Sequence, residues 1–220
     1  MATGVFSDKR AKISERTLRT DKWWLQPLIT FSVLFSFIVY ATWRAFEANH
    51  YFAEPLISPF YSPCLTASCP TGASLLGQPL GSGIIFGLAI SPALFILIFP
   101  LGFRMTCYYY RKAYYRSFWF SPPACAVAEP HKSYSGETKL PLIINNLHRY
   151  FFYFGLVFNV LLTIDAILAF RDPEGHWGHM SIGTLVLLLN AILLWGYSAS
   201  CHSCRHAVDR KSTRLNSSHT

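Results

Sequence analysis

Charge is scarce in this chain. Asp, Glu, Lys and Arg make up 14% of its 220 residues, against about 25% in ordinary soluble domains. Disordered chains and coiled coils both need far more charge than this. A collagen-like fibre needs glycine at every third position, and only 13 glycines are present. The same shortage argues against a water-soluble globule. Negative charge is the scarcer sign, with 11 acidic against 19 basic residues. A G-x-G-x-x-G fingerprint is missing, and so is any polar stretch long enough to build a flavin or dinucleotide domain. The chain alone therefore carries no flavin or nicotinamide chemistry.

What it does have is apolar length. Apolar residues reach 52% and mean hydropathy is +0.28. Trp23 to Trp43, Gly83 to Phe103 and Met180 to Ser200 each run 21 residues without one charge. A fourth run, Leu140 to Phe170, is interrupted only by Arg149 and Asp165. A helix needs about 20 apolar residues to cross a bilayer. The sequence thus predicts an all-α integral membrane bundle with four transmembrane helices, over about 23–44, 83–104, 141–170 and 178–200. A segment 1–22 precedes the bundle domain 23–206, and 207–220 follows it. The first run is too long for a signal peptide, and Ala41-Thr42-Trp43-Arg44 is a poor cleavage site. Pro92 and Pro100 fall inside the second run, where each is expected to kink the helix.

The basic residues sort by side. Residues 1–22, 104–139 and 201–220 together hold 16 Lys and Arg, whereas 45–82 and 171–179 together hold one, Arg171. The positive-inside rule puts the first group of segments in the cytoplasm, N-terminus included, and the second group outside. The net charge of +8 then reads as a topology signal and a contact with anionic lipid, and nucleic acid is not needed as a partner. Trp23, Trp24, Trp43, Trp177 and Trp195 lie near span ends, as an aromatic belt requires.

This topology gathers reactive side chains on the cytoplasmic side. They are Cys107, Cys125, His131, His148, Cys201, His202, Cys204 and His206. The densest group is Cys201-His202-Ser203-Cys204-Arg205-His206. Structural disulfides are rare in a reducing compartment, so these residues are candidate metal ligands. Cys125 and His131 joined to the 201–206 group would give a two-Cys, two-His site for zinc or a Rieske-type [2Fe–2S] centre. Ordinary interfacial residues are the alternative, and for Cys107 the better one. Cys64 and Cys69 lie five apart in the external 45–82 connection, where either a short disulfide or two free thiols is expected. His50, His176 and His179 lie at the opposite boundary, so histidines at both faces leave haem b as a further alternative.

Three further features stand out. Arg104 to Phe120 alternates basic and aromatic residues, including Arg116 and Trp119. That pattern predicts a helix that extends the second span or lies in the interface, with room for a quinone headgroup and a docking face for a soluble protein. His148-Arg149-Tyr150 lies one to two turns into the third run, where a charge is costly and usually functional. Its donors suit a quinone carbonyl. Asp165 lies about 24 Å further along that helix at 1.5 Å per residue and is expected to meet a cation at the helix end.

The stretches PLGFRMTCYYYRKAYYRSFWFSPPACAVAEPHKSYSGET, NNLHRYFFYF and LLLNAILLWGYSASCHSCRH resemble the cytochrome b-type membrane anchor of actinobacterial-type succinate dehydrogenases, within the succinate dehydrogenase/fumarate reductase family. The resemblance covers roughly residues 20–208. It implies a five-helix subunit of the plasma (inner) membrane that is not catalytic alone and holds a flavoprotein and an iron–sulfur subunit. Electrons pass through it to a quinone, usually menaquinone, and the branch can carry a Rieske-like centre in place of haem. The chain departs from the pattern after Ala207, where DRKSTRLNSSHT is polar without a helical period and resembles adaptor-derived sequence. The family's fifth helix is thus expected to be missing. The competing classes are a small transporter, which calls for repeats and midplane polar groups not seen here, and a structural scaffold, which has no use for the Cys/His group.

Overall fold

In a computed structural model of the chain, the structure describes residues 19–70, 74–81, 84–85, 88–89, 91–127, 130–131 and 143–216. Among these are six helices: α1 (Leu25–Glu47), α2 (Pro92–Thr106), α3 (Tyr108–Ser117), α4 (His148–Leu168), α5 (Ile182–Ala199) and α6 (His202–Asn216). Two small antiparallel hairpins complete the fold, β1–β2 pairing Phe52 with Ile57, and β3–β4 pairing Ile84 with Ala89. The chain forms two compact units, Met1–Ala41 with Met105–Asn146, and Thr42–Arg104 with Leu147–Thr220. By length and composition, α1, the helical stretch Ile143–Leu168 containing α4, and α5 can each cross a membrane, and the bent pair α2–α3 makes a fourth span if counted as one.

α1 forms because its 23 residues carry no charge before Arg44. It ends where Arg44 pairs with Glu47 and Ala48 turns left-handed at φ 50°. Leu28, Val33, Phe35, Ile38 and Trp43 along it are exposed, as expected of a lipid-facing helix. In the first unit, Phe31 of α1 packs its ring 4.8 Å from that of Phe118, and the Tyr114 hydroxyl closes the α3 turn on the Met105 carbonyl at 3.0 Å.

The second predicted span differs from the structure. The run 83–104 is not one helix: its first half holds the β3–β4 hairpin, and the helix starts at Pro92. The cause is local. Pro92 biases Ser91 away from helical dihedrals and suits the first helical position, where its missing N–H costs nothing. Pro92 therefore starts α2 instead of kinking it, and Pro100 lies inside the helix. The remaining 15 residues are too few to cross alone, and they reach the length of a span only when α2 and α3 are counted as one bent pair.

The second unit is built on α4 and α5. Ala166, Ala169, Leu187 and Ala191 form their buried seam, with Leu56 packed against it. Small residues let the helix backbones approach closely, as membrane helices require. At Gly102 of α2, an added Cβ would lie 2.3 Å from the Phe151 ring of α4, so glycine is what admits that contact. Side-chain hydrogen bonds finish the seam. Asn159 Nδ2 donates to Ser198 Oγ at 2.7 Å, Trp195 Nε1 to Thr163 Oγ1 at 2.9 Å, and Thr184 Oγ1 to the Ala169 carbonyl at 3.0 Å. Ser181 caps α5 through a reciprocal box with Thr184.

Asp165 does not meet a cation. It is buried, and its carboxylate bonds the hydroxyl of buried Ser62. Sequence position alone had no means of showing that partner, because it comes from 103 residues earlier. The tail also differs from expectation, since α6 continues through Asn216. In its first half Arg205 and Asp209 are exposed and paired at i,i+4.

The 48–70 connection is a compact cap. Tyr51 and Tyr61 stack at 4.3 Å, Tyr61 donates to the Arg44 carbonyl at 2.7 Å, and a disulfide joins Cys64 to Cys69. Both cysteines are buried beside Ile57. Replacing both by Ser is expected to cost about 2 kcal/mol through the entropy of so short a loop, measured as a lower thermal unfolding midpoint in detergent. An unchanged midpoint would show that the cap is held by its tyrosines alone.

Candidate thiol–imidazole site

Three helix ends of the second unit meet at one point. α5 stops at Ala199, Ser200 caps it, and Cys201 forms the turn into α6, its carbonyl accepting from the Cys204 N–H at 3.0 Å. α4 opens with His148. His148 Nε2 and Cys201 Sγ are 3.4 Å apart. Phe103, near the end of α2, stacks flat on the His148 imidazole at 4.7 Å and 6°, and the ring also bonds the Phe103 backbone. Tyr197 meets Phe103 edge-on at 5.9 Å, and the Arg104 guanidinium lies over Tyr197 at 3.9 Å. Phe152, one turn beyond His148, is 2% exposed and closes the floor.

This arrangement can do definite chemistry. A thiol and an imidazole in contact share a proton, and the thiolate form is both nucleophile and metal ligand. Arg104 adds a guanidinium to the same cluster through its contact with the Tyr197 ring. Phe103 and Tyr197 are not singled out by the sequence, and Arg104 enters there only as the first residue of the basic–aromatic stretch 104–120. The available signal was the placement of Phe103-Arg104 and Tyr197 at the ends of two apolar runs.

The sequence grouped His148, Arg149 and Tyr150 as one set of donors, and the structure separates them. Successive helical residues point about 100° apart. His148 turns inward to Cys201, while Arg149 and Tyr150 are exposed, with Arg149 Cζ 5.1 Å from the Tyr150 ring. Arg116 and Trp119 belong to the first unit. There the Trp119 carbonyl contacts His131 Nε2 at 2.6 Å. Cys125 is exposed in the same unit, and its carbonyl accepts from Arg19 at 3.4 Å. Arg19 in turn bonds Asp21, and that hydrogen bond holds the Asp21 carboxyl below the usual carboxylate range. Cys107 sits partly buried at the α2–α3 break.

The 201–206 residues sort into pairs. Cys201 faces His148, and His202 faces His206 with Nε2 atoms 2.8 Å apart. Within this unit, no three of His148, Cys201, His202, Cys204 and His206 bring ligating atoms within 4.8 Å of one another. Among the described residues, the trio that does so is Asp172, Glu174 and His176, on the exposed turn between α4 and α5. Haem b held between two histidines needs both within the bundle, and His148 is the one described histidine inside a candidate span. His50, His176 and His179 lie outside them.

Comparison with known proteins completes the picture. The sequence model of a family described as actinobacterial succinate dehydrogenase subunit SdhC matches residues 25–219. Among solved structures, a chain of the Mycobacterium smegmatis Sdh1 complex in the apo form is similar, with 52% identity and a TM-score of 0.80. The match covers 94% of this chain and 77% of that one. No curated protein matches the chain.

Proposed function

The chain belongs to the actinobacterial succinate dehydrogenase subunit SdhC family, and from that membership we propose that it is the quinone-reducing membrane anchor of a succinate:quinone oxidoreductase. Its partners in this reading are a flavoprotein subunit and an iron–sulfur subunit, and its acceptor is menaquinone. It lies in the plasma membrane with the N-terminus, the 104–139 segment and α6 on the cytoplasmic side, a placement supported by the 16-to-1 division of Lys and Arg. The observation that carries the redox part is the His148–Cys201 contact under Phe103 and Arg104. It places a proton-sharing thiol and imidazole at the ends of α4 and α5.

A Rieske-type [2Fe–2S] centre requires two thiolates and two imidazoles. Cys201 and His148 match half of that donor set, and Cys204, three residues on, adds a second thiol of the right chemistry. Such a centre supplies one-electron transfer at a raised potential when bound. The chain's own residues do the rest. Phe103 stacks on the His148 ring and fixes its plane, and Arg104 lies over Tyr197 beside it. Arg149, exposed at the start of α4 with Tyr150 beside it, is the donor for a quinone carbonyl, and the Tyr150 ring orients its guanidinium.

Arg149→Ala in the assembled enzyme is expected to lower succinate-driven quinone reduction about tenfold or more, a loss of about 1.4 kcal/mol or more in transition-state stabilisation. Reduction of an artificial dye by the soluble subunits should stay unchanged, and Arg149→Lys should recover part of the loss. Quinone reduction that survives Arg149→Ala intact would remove this residue from the site. Equal loss of both activities would mean failed assembly.

A further inference from the structure

The turn between α4 and α5, which the charge asymmetry puts on the outer side, carries a sulfur-free donor cluster that the redox reading does not use. Asp172, Glu174 and His176 bring one ligating atom each within 4.8 Å of one another. His176 Nδ1 stands 3.5 Å from Asp172 Oδ2 and 3.9 Å from Glu174 Oε2. The backbone sets this convergence. The Asp172 N–H donates to the His176 carbonyl at 2.9 Å, and the Gly175 N–H donates to the Asp172 carbonyl at 3.0 Å. Gly175 makes the turn possible by taking φ +96°, where a side chain would be strained. The His176 N–H donates to Asp172 Oδ1 at 2.7 Å. That bond fixes the carboxylate and leaves Oδ2 on the side of the imidazole.

We propose that Asp172, Glu174 and His176 form a one-imidazole, two-carboxylate site for a labile divalent transition-metal ion of the zinc type. Tetrahedral ligation with bonds of about 2.0–2.2 Å sets neighbouring donor atoms about 3.4 Å apart. The 3.5 and 3.9 Å gaps reach that value with movements of about half an ångström or less, within the freedom of staggered, exposed side chains. Water completes the coordination. The imidazole selects the metal, because ring nitrogen suits zinc, copper or nickel. Calcium takes six or more oxygens, and three side chains fall short of that. The surrounding charge favours a cation. Segments 45–82 and 171–179 hold four carboxylates, Glu47, Glu54, Asp172 and Glu174, against one basic residue, Arg171. Its Nε donates to the Gly175 carbonyl at 2.9 Å. A bound dication offsets the repulsion between the Asp172 and Glu174 carboxylates and clips the α4–α5 turn shut from outside.

The test is zinc binding to the purified, assembled complex, so its outcome is separate from that of the quinone reading. Zinc is titrated calorimetrically into the wild type, His176→Ala and Glu174→Gln. These side chains are 77% and 82% exposed, so both variants should assemble and reduce quinone as the wild type does. Loss of a mere supporting partner already costs about 10- to 100-fold in metal affinity, and each variant should lose at least that much. Affinity in the wild type should also fall on acidification, because imidazole binds metal only when deprotonated. X-ray absorption at the zinc edge should show nitrogen and oxygen near 2.0–2.2 Å and no sulfur near 2.3 Å. Unchanged affinity in both variants would overturn the proposal. A sulfur shell would do the same by sending the ion to the cysteines, and displacement of zinc by equimolar calcium would refute the choice of metal.

Discussion

Phe152→Ala should be among the most damaging single changes in the chain, lowering stability by about 3–5 kcal/mol. The ring is 2% exposed and lies 6.1 Å from that of Phe103. Removing it leaves a cavity under the residue that fixes the His148 imidazole. Two effects should therefore appear together in the assembled enzyme. The thermal unfolding midpoint should fall, and quinone reduction should fall further than the folded fraction explains. Phe152→Leu refills most of the volume and should restore stability more fully than activity, because only an aromatic ring buttresses Phe103 from the side. If Phe152→Ala reduces quinone normally at low temperature, the floor of the cluster is structural only.

The second large effect is expected where Ser62 bonds Asp165. Both are buried, at 1% and 5% exposure, and this bond ties the 48–70 cap to α4. Ser62→Ala leaves the carboxyl without that partner, and an unsatisfied buried polar group costs about 1–3 kcal/mol, more if charged. Asp165→Asn keeps an oxygen acceptor at the same place and should be nearly neutral. The pair of variants separates hydrogen bonding from charge when unfolding of the detergent-solubilised protein is followed thermally. A large loss in Asp165→Asn with none in Ser62→Ala would mean that the negative charge itself is required.

Both effects turn on contacts that hydropathy does not encode. The long apolar runs made α1, α4 and α5 legible, because bilayer thickness imposes a length that few other structures share. The second run failed as a single helix because an uncharged hairpin has the same hydropathy as an uncharged helix, and only Ser91-Pro92 marks the boundary. The Cys/His group was legible as composition. Its division into a Cys201–His148 pair and a His202–His206 pair was not, since helical facing depends on where α5 ends. Ending it at Ala199 puts Cys201 in the turn and both histidines on the next helix. His148 and Arg149 are neighbours in sequence, but successive helical residues point about 100° apart, and sequence adjacency does not convey that divergence. The α6 helix was missed because a polar helix at a chain end lacks the apolar stripe that periodicity detects.

The hydrogen bonds between α4 and α5 bear on how the protein reaches its membrane. Asn159, Thr163 and Ser198 would each enter hydrocarbon at a cost if their helices inserted singly. Paired across the seam with one another, with Trp195 and with the Leu194 carbonyl, they no longer have to. The connecting turn is short and fixed by Arg171, whose Nε donates to the Gly175 carbonyl at 2.9 Å. Synthesis of α5 therefore completes a helical hairpin whose polar groups are already matched. The two spans should partition from the translocation channel into lipid as one body, with α4 waiting in the channel until α5 emerges.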